Sequence, residues 1–277
     1  MRFHLSAVLL TAGLIAGTGA QAQQNLDLSD GFIDYTGWTL LGSASAHNMT
    51  PGNGWSYSIL ELTSPGVQGQ AGAAFAPQAW ALDVDQAFHV DFHFYVNPGS
   101  TLRGDGMSFT LSTATGLGNG GSGLGYEGLD HSVALAIDTF NFDGEPISPS
   151  LQILQNGSVT PLAVTETGIG DGLYNVSSQW RVQLDWAPSG LGDHMGLLSG
   201  TLSQADQGSF AVQATLDLSD LAGMPLFYGF TAGTGLADDS YAVSSAMPVP
   251  EPANSALMLA GLAALIGLKK RRAIRQP

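Results

Sequence analysis

Three short segments of the 277-residue chain carry residue types that could do chemistry. Gly104-Asp105-Gly106 sets one carboxylate between two glycines, ahead of the strand-like run Met107-Ser108-Phe109. An acid so placed ahead of a strand is a turn residue or part of a functional site. Gly120-Gly121-Ser122-Gly123-Leu124-Gly125-Tyr126 is a glycine-rich loop. No Lys-Ser/Thr pair and no helical pattern follow it, so it is not a phosphate loop. The segment from Asp138 to Pro146 brings the side-chain oxygens of Asp138, Asn141, Asp143 and Glu145 close together in sequence. Such a run is an acidic surface loop or a site for a hard cation such as Ca2+, which takes oxygen ligands.

Strands must position these segments. Phe88, Val90, Phe92, Phe94 and Val96 alternate with His89, Asp91, His93 and Tyr95. Trp180, Val182, Leu184 and Trp186 alternate with Arg181, Gln183 and Asp185. Period-2 alternation gives one face to a core and one to water, and it places Trp180 and Trp186 inside. Val133 to Ile137 is nearly continuous apolar sequence, as for a strand covered on both faces. Turn-rich pieces at Pro98-Gly99-Ser100, Gly116 to Gly125, Gly168 to Gly172 and Pro188-Ser189-Gly190 separate the runs. No helical period stands out. The expected fold is all-β, a sandwich of short strands. The chain has no cysteine, so its core must hold without disulfides.

Both ends read as processing segments. Arg2 and His4, the apolar run Leu5 to Ala16 and Ala20-Gln21-Ala22 form a secretory signal over residues 1–22. Residues 23–248 are the sandwich. Residues 249–277 hold Pro250-Glu251-Pro252, an apolar stretch from Ala253 to Leu268 and a basic cluster beginning Lys269-Lys270-Arg271-Arg272. That tail would touch the membrane transiently, with its basic end on the cytoplasmic side. Without the signal, and if the tail is cut after Glu251, Arg103 and Arg181 face 23 acids. A surface so acidic repels nucleic acid and anionic lipid.

The tail resembles the PEP-CTERM sorting signal of Gram-negative bacteria. The resemblance implies removal by an exosortase-type enzyme and delivery to the envelope, outer surface or extracellular matrix. The middle of the chain resembles the legume-type lectins, with their concanavalin A-like antiparallel sandwich (a jelly roll). The matching pieces run from Tyr35-Thr36-Gly37-Trp38 and Gly69 to Phe75, through Gly104-Asp105-Gly106, Gly123 to Tyr126 and Ser132 to Phe140, to Gly229 through Leu236, which looks like the family's final strand and specificity loop.

The resemblance implies a carbohydrate partner and site roles. Asp105, after a cis peptide at Gly104, accepts from two sugar hydroxyls. Backbone N–H groups of Ser122 and Gly123 donate. Asn141 bridges sugar and metal. Leu236 and Ala237 set specificity. Calcium is implied on Asp138, the Phe140 carbonyl, Asn141 and Glu145, with Asp143 as a nearby substitute. Ala136 and Ser150 stand where the family has Glu and His, so no transition-metal site is expected.

Catalysis is not expected. Retaining glycosidases need two carboxylates about 5 Å apart. The strand of their laminarinase-like relatives carries a Glu-x-Asp-x-x-Glu pattern. Here it reads Ala136-Ile137-Asp138-Thr139-Phe140-Asn141, without either Glu. His89 and His93 share a strand face about 13 Å apart, too far for one metal. A sugar-binding protein is therefore set against a structural or adhesion protein without sugar binding, and against a glycosidase of the same fold.

Overall fold

The computed structural model describes residues 24–29, 33–49, 57–99, 102–141, 144–174 and 179–244. The signal segment, Trp55, Phe142, Asp143 and the Pro250-Glu251-Pro252 tail lie outside the described residues. No helix among the described residues is long and apolar enough to cross a membrane.

Among the described residues fifteen strands follow in order: β1 Gln24–Leu28, β2 Thr39–Gly42, β3 Ser45–Met49, β4 Tyr57–Glu61, β5 Ala71–Phe75, β6 Phe88–Asn97, β7 Gly106–Ser112, β8 Ser132–Asp138, β9 Ser150–Gln155, β10 Ala163–Glu166, β11 Trp180–Pro188, β12 Met195–Gln204, β13 Gly208–Asp217, β14 Phe227–Gly233 and β15 Ser240–Ser244. One sheet runs β13-β12-β11-β6-β15-β4-β3, with β1 beside β6. The other runs β10-β9-β8-β7-β14-β5-β2. All named pairings are antiparallel except β1 with β6, which is parallel. The expected sandwich is present, with that one parallel exception.

The main core lies between the sheets. Phe88, Val90, Phe92 and Phe94 on β6 meet Met107, Phe109, Leu135, Ile137 and Phe230 from the opposite sheet. Trp180 and Trp186 are buried in it, as their alternation required. A second, smaller core covers the outer face of the β7–β8 sheet. There Leu124, Tyr126 and Leu129 of the loop after β7 pack on Ala134, Ala136 and Leu154. This explains why β7 and β8 are buried along their whole length. The core-facing row of β8 is Val133, Leu135 and Ile137; the outer row ends Ala134, Ala136, Asp138.

The polar face of β6 departs from simple exposure. Asp91 is only 4% exposed. Arg181, on neighbouring β11, donates to both of its oxygens from Nε at 3.0 Å and to Oδ2 from Nη2. Gln183 adds a weaker bond at 3.3 Å. His89 pairs with Asp185 at 2.7 Å rather than facing water alone. Asp91 is the buried member of this pair, and removing the half-exposed arginine leaves its charge uncompensated. Arg181→Met is therefore expected to destabilise the fold by about 3 kcal/mol, read as a lower urea midpoint at an unchanged slope.

Candidate functional site

Four loops converge at one end of the β7–β14 pair. Asp105 sits at the entry to β7, after a cis Gly104–Asp105 peptide. Its N–H donates to the Gly233 carbonyl at 3.0 Å, and its carbonyl accepts from Thr139 at 2.8 Å. The residue is thus strung between the end of β14 and the end of β8. Gly104 adopts φ +140°, and a Cβ there would lie 2.7 Å from that of Phe140. Only glycine fits.

Asp239 fixes the approach to this peptide. It is fully buried, and its two oxygens accept from Gly99 N–H at 2.6 Å and Gly104 N–H at 2.9 Å. Burial pushes its carboxyl up, against the pull of those two donors and of Arg103. Arg103 itself stacks on Tyr174, 4.5 Å from the ring centre.

The other loops close on Asp105. A Cβ on Gly235 would stand 3.0 Å from Asp105 Oδ2, so the specificity loop touches the carboxylate. A Cβ on Gly233 would meet the Gly121 carbonyl at 2.6 Å, so the glycine-rich loop lies against the same strand end. Thr231 Oγ1 also holds the Leu124 carbonyl at 2.8 Å. Asp105 is 6% exposed, and its Oδ2 is buried without a hydrogen-bond partner among the described residues. Burial pushes its carboxyl up to about 6. The nearby Gly235 N–H favours the charged form but does not reach Oδ2 in hydrogen-bonding geometry, and the charges of Glu145 and Asp239 add to the rise.

The remaining expected residues divide. Ser122, Leu124, Asp138, Glu145, Gln152 and Thr160 line a cavity of about 240 Å3, with Asp105 outside its lining. The Gly123 N–H is spent on the Gly120 carbonyl in a 3-10 turn, so the expected pair of donors from this loop reduces to Ser122. Leu236 is 74% exposed, with its carbonyl held by Gln68, while Ala237 is buried. The expected final strand, Gly229 onward, is β14 and is not the last. β15 follows in the other sheet because the chain crosses back through the Gly235–Asp239 loop.

No protein-family model matches the chain. Solved structures do. The lectin from Bauhinia forficata in complex with GalNAc matches with a TM-score of 0.60 at 21% identity, over 78% of this chain and 95% of that one. The metal-free form of lectin I-B4 from Griffonia simplicifolia gives 0.58 at 18%, over 75% and 91%. The basic winged bean lectin with Tn-antigen gives 0.57 at 20%, over 80% and 97%. The fold is that of the legume lectins.

Within the legume-lectin fold, two of the side chains expected to hold calcium, Asp138 and Asn141, have other partners for their oxygens. Asp138 Oδ1 accepts from Phe140 N–H at 3.0 Å and Ser148 Oγ at 3.1 Å; Oδ2 accepts from Gln152 Nε2 at 2.9 Å. Burial pushes this carboxyl up to about 7 despite those bonds. Asn141 Oδ1, expected to bridge metal and sugar, accepts from Ser148 N–H at 2.7 Å. No group of three or more His, Asp or Glu side chains converges among the described residues. Ala136 belongs to the apolar outer core, one step along the row from Asp138. As they are bonded, the Asp138 carboxylate and the Asn141 amide oxygen do not fit the expected calcium set.

Sequence reasoning missed Asp239, Ser148 and Gln152. Asp239 carried no signal beyond its place in the Gly235–Asp239 loop. Gln152 could have been found: it lies across from Ala136 on β9 and so shares the outer face with Asp138.

Proposed function

We propose that this chain binds carbohydrate, without catalysis, at the loop cluster around Asp105. The observation that carries the reading is the buried, unpartnered Oδ2 of Asp105, set against the Gly235 loop. A buried acceptor left without a donor is costly, and neighbouring hydroxyls of a sugar are donors of the right spacing for one carboxylate. In this reading Asp105 accepts from two hydroxyls. Asn141 Nδ2 and the Ser122 N–H donate, and the exposed Leu236 offers an apolar rim. The solved lectins in complex with GalNAc and with Tn-antigen share the sandwich and support the substrate class. The absence of both glutamates of the glycosidase pattern around Asp138 supports binding over hydrolysis.

The ends of the chain extend the proposal. The protein is exported, its tail is handed to an exosortase-type enzyme, and it works in the envelope or polysaccharide matrix of a Gram-negative bacterium. The residue order of both ends supports this. An adhesive protein without sugar binding is the second reading, favoured by the saturated hydrogen bonds of Asp138. A glycan array, followed by a reducing-end assay on the bound glycans, separates the classes. Retention without new reducing ends is expected. An empty array leaves the adhesive reading, and new reducing ends establish a glycosidase.

A further inference from the structure

The geometry points to a metal-independent site, in which Ser148 and Gln152 take the place of a cation in tying Asp138 and Asn141 together. The inference rests on the proposed sugar site and concerns how that site is held. Ser148 donates twice across the loop. Its N–H reaches Asn141 Oδ1 at 2.7 Å and its hydroxyl reaches Asp138 Oδ1 at 3.1 Å. Gln152 Nε2, on a residue 3% exposed, reaches Asp138 Oδ2 at 2.9 Å and Ser150 Oγ at 2.9 Å. Ser148 thereby ties the two oxygens, one from Asp138 and one from Asn141, that a shared cation would otherwise tie.

The brace has a consequence for the ligand. An amide whose oxygen accepts from a fixed N–H has its plane and its polarity set. The Asn141 amide is oriented in this way on an exposed residue, so its Nδ2 is presented to a polyol. Asp138 holds the end of β8 in the same network, and the next residue, Thr139, donates to the Asp105 carbonyl. The clasp is thus connected to Asp105 through the backbone. Ser148 and Gln152 are positioning residues.

The test uses the full exported protein, stripped with EDTA, and calcium chloride as the probe. Calorimetric titration with calcium is expected to give no binding heat. Melting curves in EDTA and in calcium are expected to superimpose, and glycan retention to be equal in both. Ser148→Ala, which removes the hydroxyl bond to Asp138, and Gln152→Leu, which removes the bonds to Asp138 and Ser150, are each expected to weaken glycan binding about five-fold or more. Ser148→Thr, which keeps the hydroxyl, is expected to restore it. Calcium heat, a calcium-raised melting temperature, or glycan binding lost in EDTA and restored by calcium overturns the inference and leaves the sugar site standing. If no glycan binds in either condition, the sugar reading fails. The melts then decide the brace: Gln152→Leu melting lower with no calcium effect upholds it, and a calcium effect in the wild type refutes it.

Discussion

Asp105→Asn is expected to lower glycan affinity at least a hundred-fold at pH 7.5 while the protein melts no lower than the wild type. The carboxylate is the ligand's double acceptor in the proposed site. An amide in its place keeps one acceptor and turns the other position into a donor aimed at donors. Losing one charge-assisted bond and creating one clash costs about 3 kcal/mol or more. Stability moves the other way. The Asp105 carboxyl is raised from 3.8 to about 6 in the fold. A carboxyl with a raised folded value binds its proton more tightly folded than unfolded, so stability is lost as pH rises from about 4 through 6. At pH 7.5 the charged carboxylate therefore destabilises the wild type, by roughly 2–3 kcal/mol. The asparagine variant escapes that cost at pH 7.5 and loses the advantage at pH 4. Thermal melts at the two pH values check the sign. Glycan affinity of the wild type is expected to fall as pH drops below about 6, where the acceptor becomes protonated.

The second large effect belongs to the scaffold. Phe230 on β14 is fully buried and joins the two sheets. Its ring stands edge-on to Phe92 of the opposite sheet at 5.0 Å and to Phe109 of its own at 5.6 Å. Trp38 stacks on its other side at 6.5 Å. Phe230→Ala removes a large ring from a packed interior and leaves a cavity that the sheets cannot close. A loss of about 3–5 kcal/mol in unfolding free energy is expected, read by urea denaturation. Because β14 also carries Gly233 and the Gly235 loop, the same variant is expected to weaken glycan binding. Asp105→Asn, by contrast, weakens binding without lowering stability, which separates site from scaffold.

The alternation of β6 and β11 and the continuous apolar run of β8 made the sandwich legible in sequence. Side chains there obey the pleat, so periodicity translates directly into faces. What periodicity could not show is how a face is covered. Asp91 alternates as a water-facing residue yet is buried under Arg181, because a long arginine from the adjacent strand lies across it. The parallel pairing of β1 depends on contacts 64 residues apart, Gln24 with Phe88, that no local pattern encodes. At the site, the glycines on either side of Asp105 were readable in the sequence, and the cis peptide was implied only by the resemblance to the legume-type lectins. The fate of the oxygen-rich segment was not. Its composition is equally that of a cation site and of a self-bonded loop. The choice was made by Ser148 and Gln152, whose partners are 7 to 14 residues away.

Backbone amide chemical shifts, followed by NMR while a glycan selected on the array is titrated in, locate the bound polyol directly. The changes are expected to cluster on Asp105, Ser122, Asn141, Leu236 and their chain neighbours. Perturbations centred instead on the outer face of β6 and β11, with these loops unmoved, would contradict it.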